Sequence, residues 1–371
     1  MENLLIMGID TRPMVDSALK LNYKTVSISY FKDRDFNEPY DERHVFDSEI
    51  TGSYGNFDES YSPTQVLDLL ESYLNEINYD KNCKNSNFSK SGKLEIDLDY
   101  FDKIVLTTGI SAEDFNGKFS KLKSKIRGNL KTSHVNDKFK FHKKIRNKFD
   151  VPMTFKVGNI YELMEILKQY DNNQFILKPL NGSGGLGFLK LNNDSLNNAN
   201  DIENNGQKIN FNNYIVQEYI EGVNVSSSVL STKTEARNLI NTRLITEEDM
   251  GKENSFAYCG NILPLDDSSF NLVQKYNNSN PKQEYNKKCD INKLNKEMRE
   301  SSEDLISELN LIGSNGVDFK IDTENESLKI IEVNPRLQGT YQLCENALDI
   351  NLLEAHIKAC EGELIDIPKP K

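Results

Sequence analysis

Phe175-Ile-Leu-Lys178-Pro-Leu-Asn-Gly182-Ser183-Gly184-Gly185-Leu186-Gly187-Phe-Leu-Lys-Leu191 decides how this chain is read. Four of the six residues from Gly182 to Gly187 are glycine, and apolar runs flank them on both sides. Glycine tolerates positive φ and lets backbone N–H groups close on an oxyanion. Lys178, just upstream, supplies a point charge for phosphate. The spacing Gly182, Gly184, Gly187 also spells G-x-G-x-x-G, but a dinucleotide site needs that pattern to open a helix. Here a second short strand follows, then the Asn-rich stretch 192–213. A hairpin-borne loop folded over nucleotide phosphates fits better. The plain alternative is an ordinary glycine-rich turn.

A second polar constellation lies near the C-terminus. Asn315-Gly-Val-Asp318-Phe-Lys320 and Ile331-Glu332-Val-Asn334-Pro-Arg336 read as two strands around a polar turn at 322–327. Pairing them brings Asp318 beside Glu332. Glu332 and Asn334, two apart, share a face. Three oxygen-bearing side chains make a hard-cation site, and magnesium is commonly held by one or two carboxylates plus substrate phosphates. Arg336 can grip a phosphate or carboxylate bidentately. The alternative is a solvated acidic hairpin.

Working outward, 371 residues suggest two to three domains, and 37% hydrophobic residues make a folded core feasible. A net charge of −12 opposes general nucleic-acid or membrane-surface binding. The Lys/Arg-rich stretch 118–148 is the exception, and reads as a solvated helix face or the lining of an anionic nucleotide pocket. No run long enough to span a membrane is present, and Met1 to Ile6 reads as the start of a strand rather than a signal peptide. The five cysteines form no C-x-x-C pair, which suggests neither a disulfide framework nor zinc and fits a cytoplasmic protein. With four histidines, none in a triad-like context, a histidine metal site is not expected.

Before the glycine loop, strands are expected at 4–9, 25–30 and 103–108, with helices at 13–21 and 64–76. This alternation implies a small parallel α/β lobe whose ligands sit beyond the strands' carboxyl ends, near Asp10, Arg12, Thr108 and Ser111. Asp10 and Ser111 serve equally well as helix caps. Residues 78–97 read as a polar insertion. One helix is expected at about 134–149, a strand at 155–157 and a helix at 161–170. After the loop come a strand at 214–220, antiparallel strands at 225–231 and 238–245, a helix at 291–309, strands at 316–321 and 328–333, and a closing helix at 348–359. The stretches 192–213 and 265–295 read as extended, partly mobile loops.

Lys138, Lys178 with its glycine loop, Val216-Gln-Glu218-Tyr219-Ile220-Glu221-Gly222, Asp318, and Glu332-Val-Asn334-Pro-Arg336 occur in an order and spacing that resemble the ATP-grasp superfamily. The resemblance covers about residues 131–365, and 1–130 look like the domain that usually precedes it. It implies a mixed α/β and α+β architecture: an N-terminal parallel α/β domain, then a two-lobed ATP-grasp domain with a glycine-loop lobe (131–220) and a metal and substrate lobe (221–365). The tail Leu337-Gln-Gly-Thr340 and Asn351-Leu-Leu-Glu-Ala-His356 is similar to archaeal-type carboligases related to biotin carboxylase.

The resemblance further implies ATP with magnesium, or manganese in its place. Lys138 and Lys178 would reach phosphate, Lys178 also the adenine edge. Gly182, Ser183, Gly184, Gly185, Leu186 and Gly187 would cover the β- and γ-phosphates. Glu218, Tyr219 and Ile220 would line the adenine and Glu221 the ribose, although Asn224 stands where many relatives carry an acidic residue. Asp318, Glu332 and Asn334 would hold the metal, and Arg336 and Lys178 would act at the transferred phosphate. The implied activity is carboxylate–amine ligation through an acyl phosphate, on small-molecule carboxylate and amine substrates. Nucleic acid and membrane are not expected as partners, and homodimers are common among such proteins. The rival readings are a biotin-carboxylase-like carboxylase, a non-catalytic nucleotide sensor and, from 118–148 alone, a nucleic-acid binder. The acceptor pocket is expected near Asp10, Arg12, Thr108, Ser111, Arg243 and Gln338 to Tyr341.

Overall fold

The computed structural model describes residues 1–30, 42–45, 62–84, 98–182, 184–191, 203–204, 207–252, 255–272, 290–322 and 327–370. Ser183 and the whole of 85–97, 192–202 and 273–289 are among the residues outside them.

The N-terminal run Leu4 to Met7 is wholly buried, as expected of a strand covered on both faces. It belongs to β1 (Glu2–Gly8), which together with β2 (Tyr23–Ser29), β3 (Glu42–Val45), β4 (Lys103–Leu106) and β5 (Ile126–Arg127) forms a parallel sheet in the order β3-β2-β1-β4-β5. α1 (Arg12–Ala18) covers one face and α2 (Pro63–Lys84) the other. The order reverses between β1 and β4, and open parallel sheets bind ligands at such a switch point. The expected insertion is corrected in part: 78–84 continue α2, and 85–97 lie outside the described residues.

The helix expected at 134–149 is two helices, α3 (Ser133–Asn136) and α4 (Lys138–Ile145). Asp137 has extended backbone and accepts a hydrogen bond from the Lys140 N–H at 2.9 Å, so it caps a new helix. The Lys138 N–H turns instead to the Leu180 carbonyl beside the glycine loop.

β6 (Thr154–Lys156), β7 (Phe175–Pro179), β8 (Leu189–Leu191) and β11 (Tyr214–Glu218) form an antiparallel sheet in the order β6-β11-β7-β8, packed on α5 (Ile160–Gln169). The glycine loop joins β7 to β8. Within the expected loop 192–213 lies a small ribbon, β9 (Glu203–Asn204) against β10 (Gln207–Lys208).

The last sheet is also antiparallel. It comprises β12 (Gly222–Ser231), β13 (Ala236–Thr246), β14 (Tyr258–Ile262), β15 (Gly313–Asp322) and β16 (Ser327–Asn334), ordered β14-β13-β12-β15-β16. Period-2 alternation divides its faces. Val223, Val225, Val317, Phe319 and Ile321 pack toward α7 (Ile291–Leu309), leaving Asn224, Ser226, Asp318 and Lys320 on the opposite face. α6 (Asp267–Leu272) falls within the stretch expected to be loop.

The single closing helix expected at 348–359 is replaced by α8 (Tyr341–Leu348) and α9 (Leu352–Glu361). Asp349, at φ +54°, ends the first, and Asn351 caps the second through the Glu354 N–H. These helices share one core with β1, β4, α1, β12 and β13, which fastens the first sheet to the last.

Candidate active site

Two cavities adjoin at the ends of these sheets. The larger, about 860 Å³, lies between the glycine-loop sheet and the open face of the last sheet. The smaller, about 430 Å³, lies between the β4 carboxyl end and the residues around Asn129, Lys138 and Pro335. Thr108, Glu332, Asn334 and Arg336 line both.

Asp318 and Glu332 are direct partners in the β15–β16 ladder, and Asn334 is opposite Gly316. The register slips just after Asp318, a bulge beside the carboxylates. Asp318 accepts from Ser226 Oγ at 2.6 Å and Asn334 Nδ2 at 2.9 Å, while Arg336 Nη2 donates to Asn334 Oδ1 at 3.1 Å. Burial, and then the adjacent Glu332 charge, push the Asp318 carboxyl up to about 6. Two carboxylates and an amide oxygen, crowded enough to repel, fit a divalent hard cation completed by substrate phosphates. Among the described residues no group of three or more His, Cys, Asp and Glu stands ready as a self-sufficient metal cage.

Lys138 Nζ donates to the Gly182 carbonyl at 2.9 Å and lies 3.4 Å from Glu332 Oε2, which ties α4 to both the loop and the carboxylates. Lys178 is buried on β7. Its ammonium donates to Gln217 Oε1 at 2.6 Å, and Gln217 Nε2 in turn donates to Thr154 Oγ1 at 3.0 Å. Burial lowers the Lys178 ammonium to about 7, with Glu332 opposing and Lys138 and Lys320 assisting.

Gly182, Gly184, Gly185 and Gly187 all have positive φ, between +70° and +134°. The loop rests on the start of β14 and the residues just before it. Tyr258 N–H donates to the Gly184 carbonyl at 3.0 Å, and a Cβ on Gly185 would lie 1.9 Å from the Phe256 carbonyl oxygen. Gly184, Gly185, Leu186 and Gly187 line the larger cavity and Gly182 the smaller; Ser183 lies outside the described residues.

Glu218, Tyr219 and Ile220 line the larger cavity at the hinge between the two antiparallel sheets. The Glu218 carboxylate is occupied by the Met153 N–H at 3.1 Å and Asn173 Nδ2 at 3.0 Å, so Glu218 meets the cavity through its main chain. Glu221 is exposed and lines neither cavity. Asp10 and Thr108 line the larger cavity and Ser111 the smaller, where Ser111 also caps a 3-10 turn reciprocally with Asp114. Arg12 lines neither cavity.

Arg243 is likewise absent from the walls of both cavities. It is 3% exposed and is engaged by Asp249 Oδ1 at 2.6 Å and the Asn224 carbonyl at 2.8 Å. Gln338, Gly339 and Thr340 do line the larger cavity, whereas Tyr341 is buried in the core. Ser226 and Lys320 have no role in the sequence reading. The alternation of β12 and β15 was the available signal, because it puts both on the Asp318 face.

The model of a family described as the ATP-grasp domain matches residues 135–283 and 277–340, together more than half of the chain. An uncharacterized protein of Methanocaldococcus jannaschii is 27% identical over 350 residues, covering 94% of this chain and 71% of that protein. Among solved structures, biotin carboxylase from Campylobacter jejuni superposes with a TM-score of 0.64 at 16% identity, over 99% of this chain and 73% of that one. N5-carboxyaminoimidazole synthetase from Staphylococcus aureus gives 0.60 at 15%, over 98% and 78%. L-amino acid ligase from Bacillus licheniformis gives 0.58 at 13%, over 98% and 75%. At these identities the likeness is one of fold.

Proposed function

The chain belongs to the ATP-grasp family, and on that premise we propose that it is an ATP- and magnesium-dependent carboxylate–amine ligase. The observation that carries this reading is the wall shared by the two cavities: Thr108, Glu332, Asn334 and Arg336 face both. A nucleotide in the larger cavity and a carboxylate in the smaller would meet there. Direct transfer between two bound substrates is positioning chemistry, which needs no side-chain nucleophile.

In this reading the substrate carboxylate oxygen attacks the γ-phosphorus of ATP and ADP leaves. The amine nitrogen then attacks the acyl carbon of the resulting acyl phosphate, phosphate departs with its electron pair, and the proton lost from the nitrogen passes to the departing phosphate or to solvent. Asp318, Glu332 and Asn334 would hold magnesium, which when bound neutralises phosphate charge. The glycine loop from Gly182 to Gly187, Lys138 and Lys178 hold the phosphates. Arg336 steadies the transferred group as charge develops on it. Glu218, Tyr219 and Ile220 receive the adenine, Thr108 and Ser111 face the acceptor, and Asp10 lies on the nucleotide side. Glu221 and Arg243 have no part in this scheme.

ADP release from ATP and magnesium, measured against pooled amino acids, amines and small carboxylates with bicarbonate as a separate arm, tests the proposal. Stimulation by one pool, with phosphate and an amide as co-products, is the expected result. Stimulation by bicarbonate alone would replace ligation with a carboxylase. Nucleotide binding without turnover in any arm would favour a sensor.

A further inference from the structure

Lys320 is a buried cation with no role in the scheme above. It sits on β15 two residues beyond Asp318, on the same face, is 7% exposed and lines the larger cavity. Among the described residues no carboxylate lies within ion-pairing distance of its ammonium, and no hydrogen bond holds it. It faces the Tyr219 ring, whose centroid is 5.8 Å away. The neighbouring anions are already engaged. Glu248 accepts from the Tyr219 hydroxyl at 3.0 Å, and Asp249 binds Arg243 and both the N–H and hydroxyl of Thr246. Lys190 adds a second positive charge, 3.8 Å from the Tyr219 centroid. A desolvated cation beside further cations calls for an anion from outside the chain.

The ladder registers place that anion. Asp318 is opposite Ser226, Lys320 opposite Asn224, and Asp322 opposite Gly222. Walking β15 from Asp318 to Asp322 therefore runs from the carboxylate pair toward the hinge at 218–222. Lys320 stands one same-face step along, roughly 6–7 Å from Asp318. If the outer phosphates lie at Asp318 and Glu332 and the base at Tyr219, the group passing Lys320 is the phosphate nearest the nucleoside. We propose that Lys320 is a further nucleotide-binding residue, its ammonium donating to the α-phosphate. The assignment rests on the reading of the larger cavity as an ATP site. It gives that site a phosphate contact independent of the metal-binding carboxylates.

The test is calorimetric titration of the full-length protein with adenosine, AMP and ADP in the presence of a chelator, and with ATP plus magnesium. Wild type is compared with Lys320→Met and Lys320→Gln, the melting temperature of each being checked first. Both variants should bind AMP and ADP about ten- to a hundredfold more weakly, the scale of a lost charged hydrogen bond, with adenosine unchanged. Wild-type affinity for AMP and ADP in either folded variant would overturn the proposal. An equal loss for adenosine would also overturn it, because the contact would then be to the nucleoside. If wild type binds no adenine nucleotide even with magnesium, the ATP site itself fails and the assignment falls with it.

Discussion

Lys178 and Glu332 occupy opposite walls of one cleft and are coupled electrically without touching. The Lys178 ammonium, brought down to about 7 chiefly by burial, is only partly charged near neutrality. A phosphate arriving beside it would favour the charged form, so in the proposed site the cation is completed by its substrate. Lys178→Met and Glu332→Ala should each reduce ADP release by at least about 10²–10³-fold, the scale of losing one preorganised electrostatic partner. Far-UV circular dichroism and melting temperature should stay near wild type, and full turnover at saturating magnesium in either variant would remove that residue from the site. The pairing of Asp318 with Glu332 was legible because both lie in short strands around one turn, where period 2 leaves few registers. Ser226 was not, because its approach to Asp318 is set by a ladder between residues 92 apart in sequence.

At the scale of elements, the glycine loop is read correctly as a hairpin, but its resting place is a property of tertiary structure. Gly185 has φ +73°, and the Phe256 carbonyl occupies the space a Cβ needs. Gly185→Ala should therefore unseat the loop from the 255–258 segment. The expected result is an ATP KM raised about ten- to a hundredfold at nearly unchanged melting temperature, since the loop contributes little to any core. Gly184→Ala, equally strained by φ but open to space, separates the collision from the backbone cost. Next to this segment, Asp249→Ala would leave Arg243 buried and uncompensated. A loss of about 3–5 kcal/mol is expected, read as a fall in the denaturant midpoint. The elements missed in the sequence share one physical feature. β5 has two residues, β3 four and β14 five, too few for periodicity to show, and the breaks at Asp137 and Asp349 are made by single residues inside otherwise helical runs.

For the whole molecule, the order of motifs carried the architecture, because each sheet announces itself locally: a buried parallel run at Leu4 to Met7, a glycine hairpin, and alternating antiparallel strands. How the first sheet is fastened to the last was less accessible, since those contacts join distant segments. His356 is one of these joints. Its Nδ1 accepts the Ser314 N–H at 2.8 Å, and its Nε2 donates to the Arg127 carbonyl at 2.9 Å, so α9 links β15 to the edge strand of the parallel sheet. This arrangement requires the neutral ring, and burial lowers its pKa to about 4 against 6.5 for an ordinary histidine. An unfolded chain takes up a proton below about 6.5 that the folded chain refuses until about 4. The stabilisation is thus complete above 6.5 and is lost as pH falls across that window, by about 3 kcal/mol from this residue. Urea midpoints measured from pH 7 to pH 4 should decline accordingly. The decline should be shallower in His356→Gln, whose amide can replace one of the two hydrogen bonds but does not titrate. Equal slopes for the two proteins would show that the joint does not depend on a neutral imidazole.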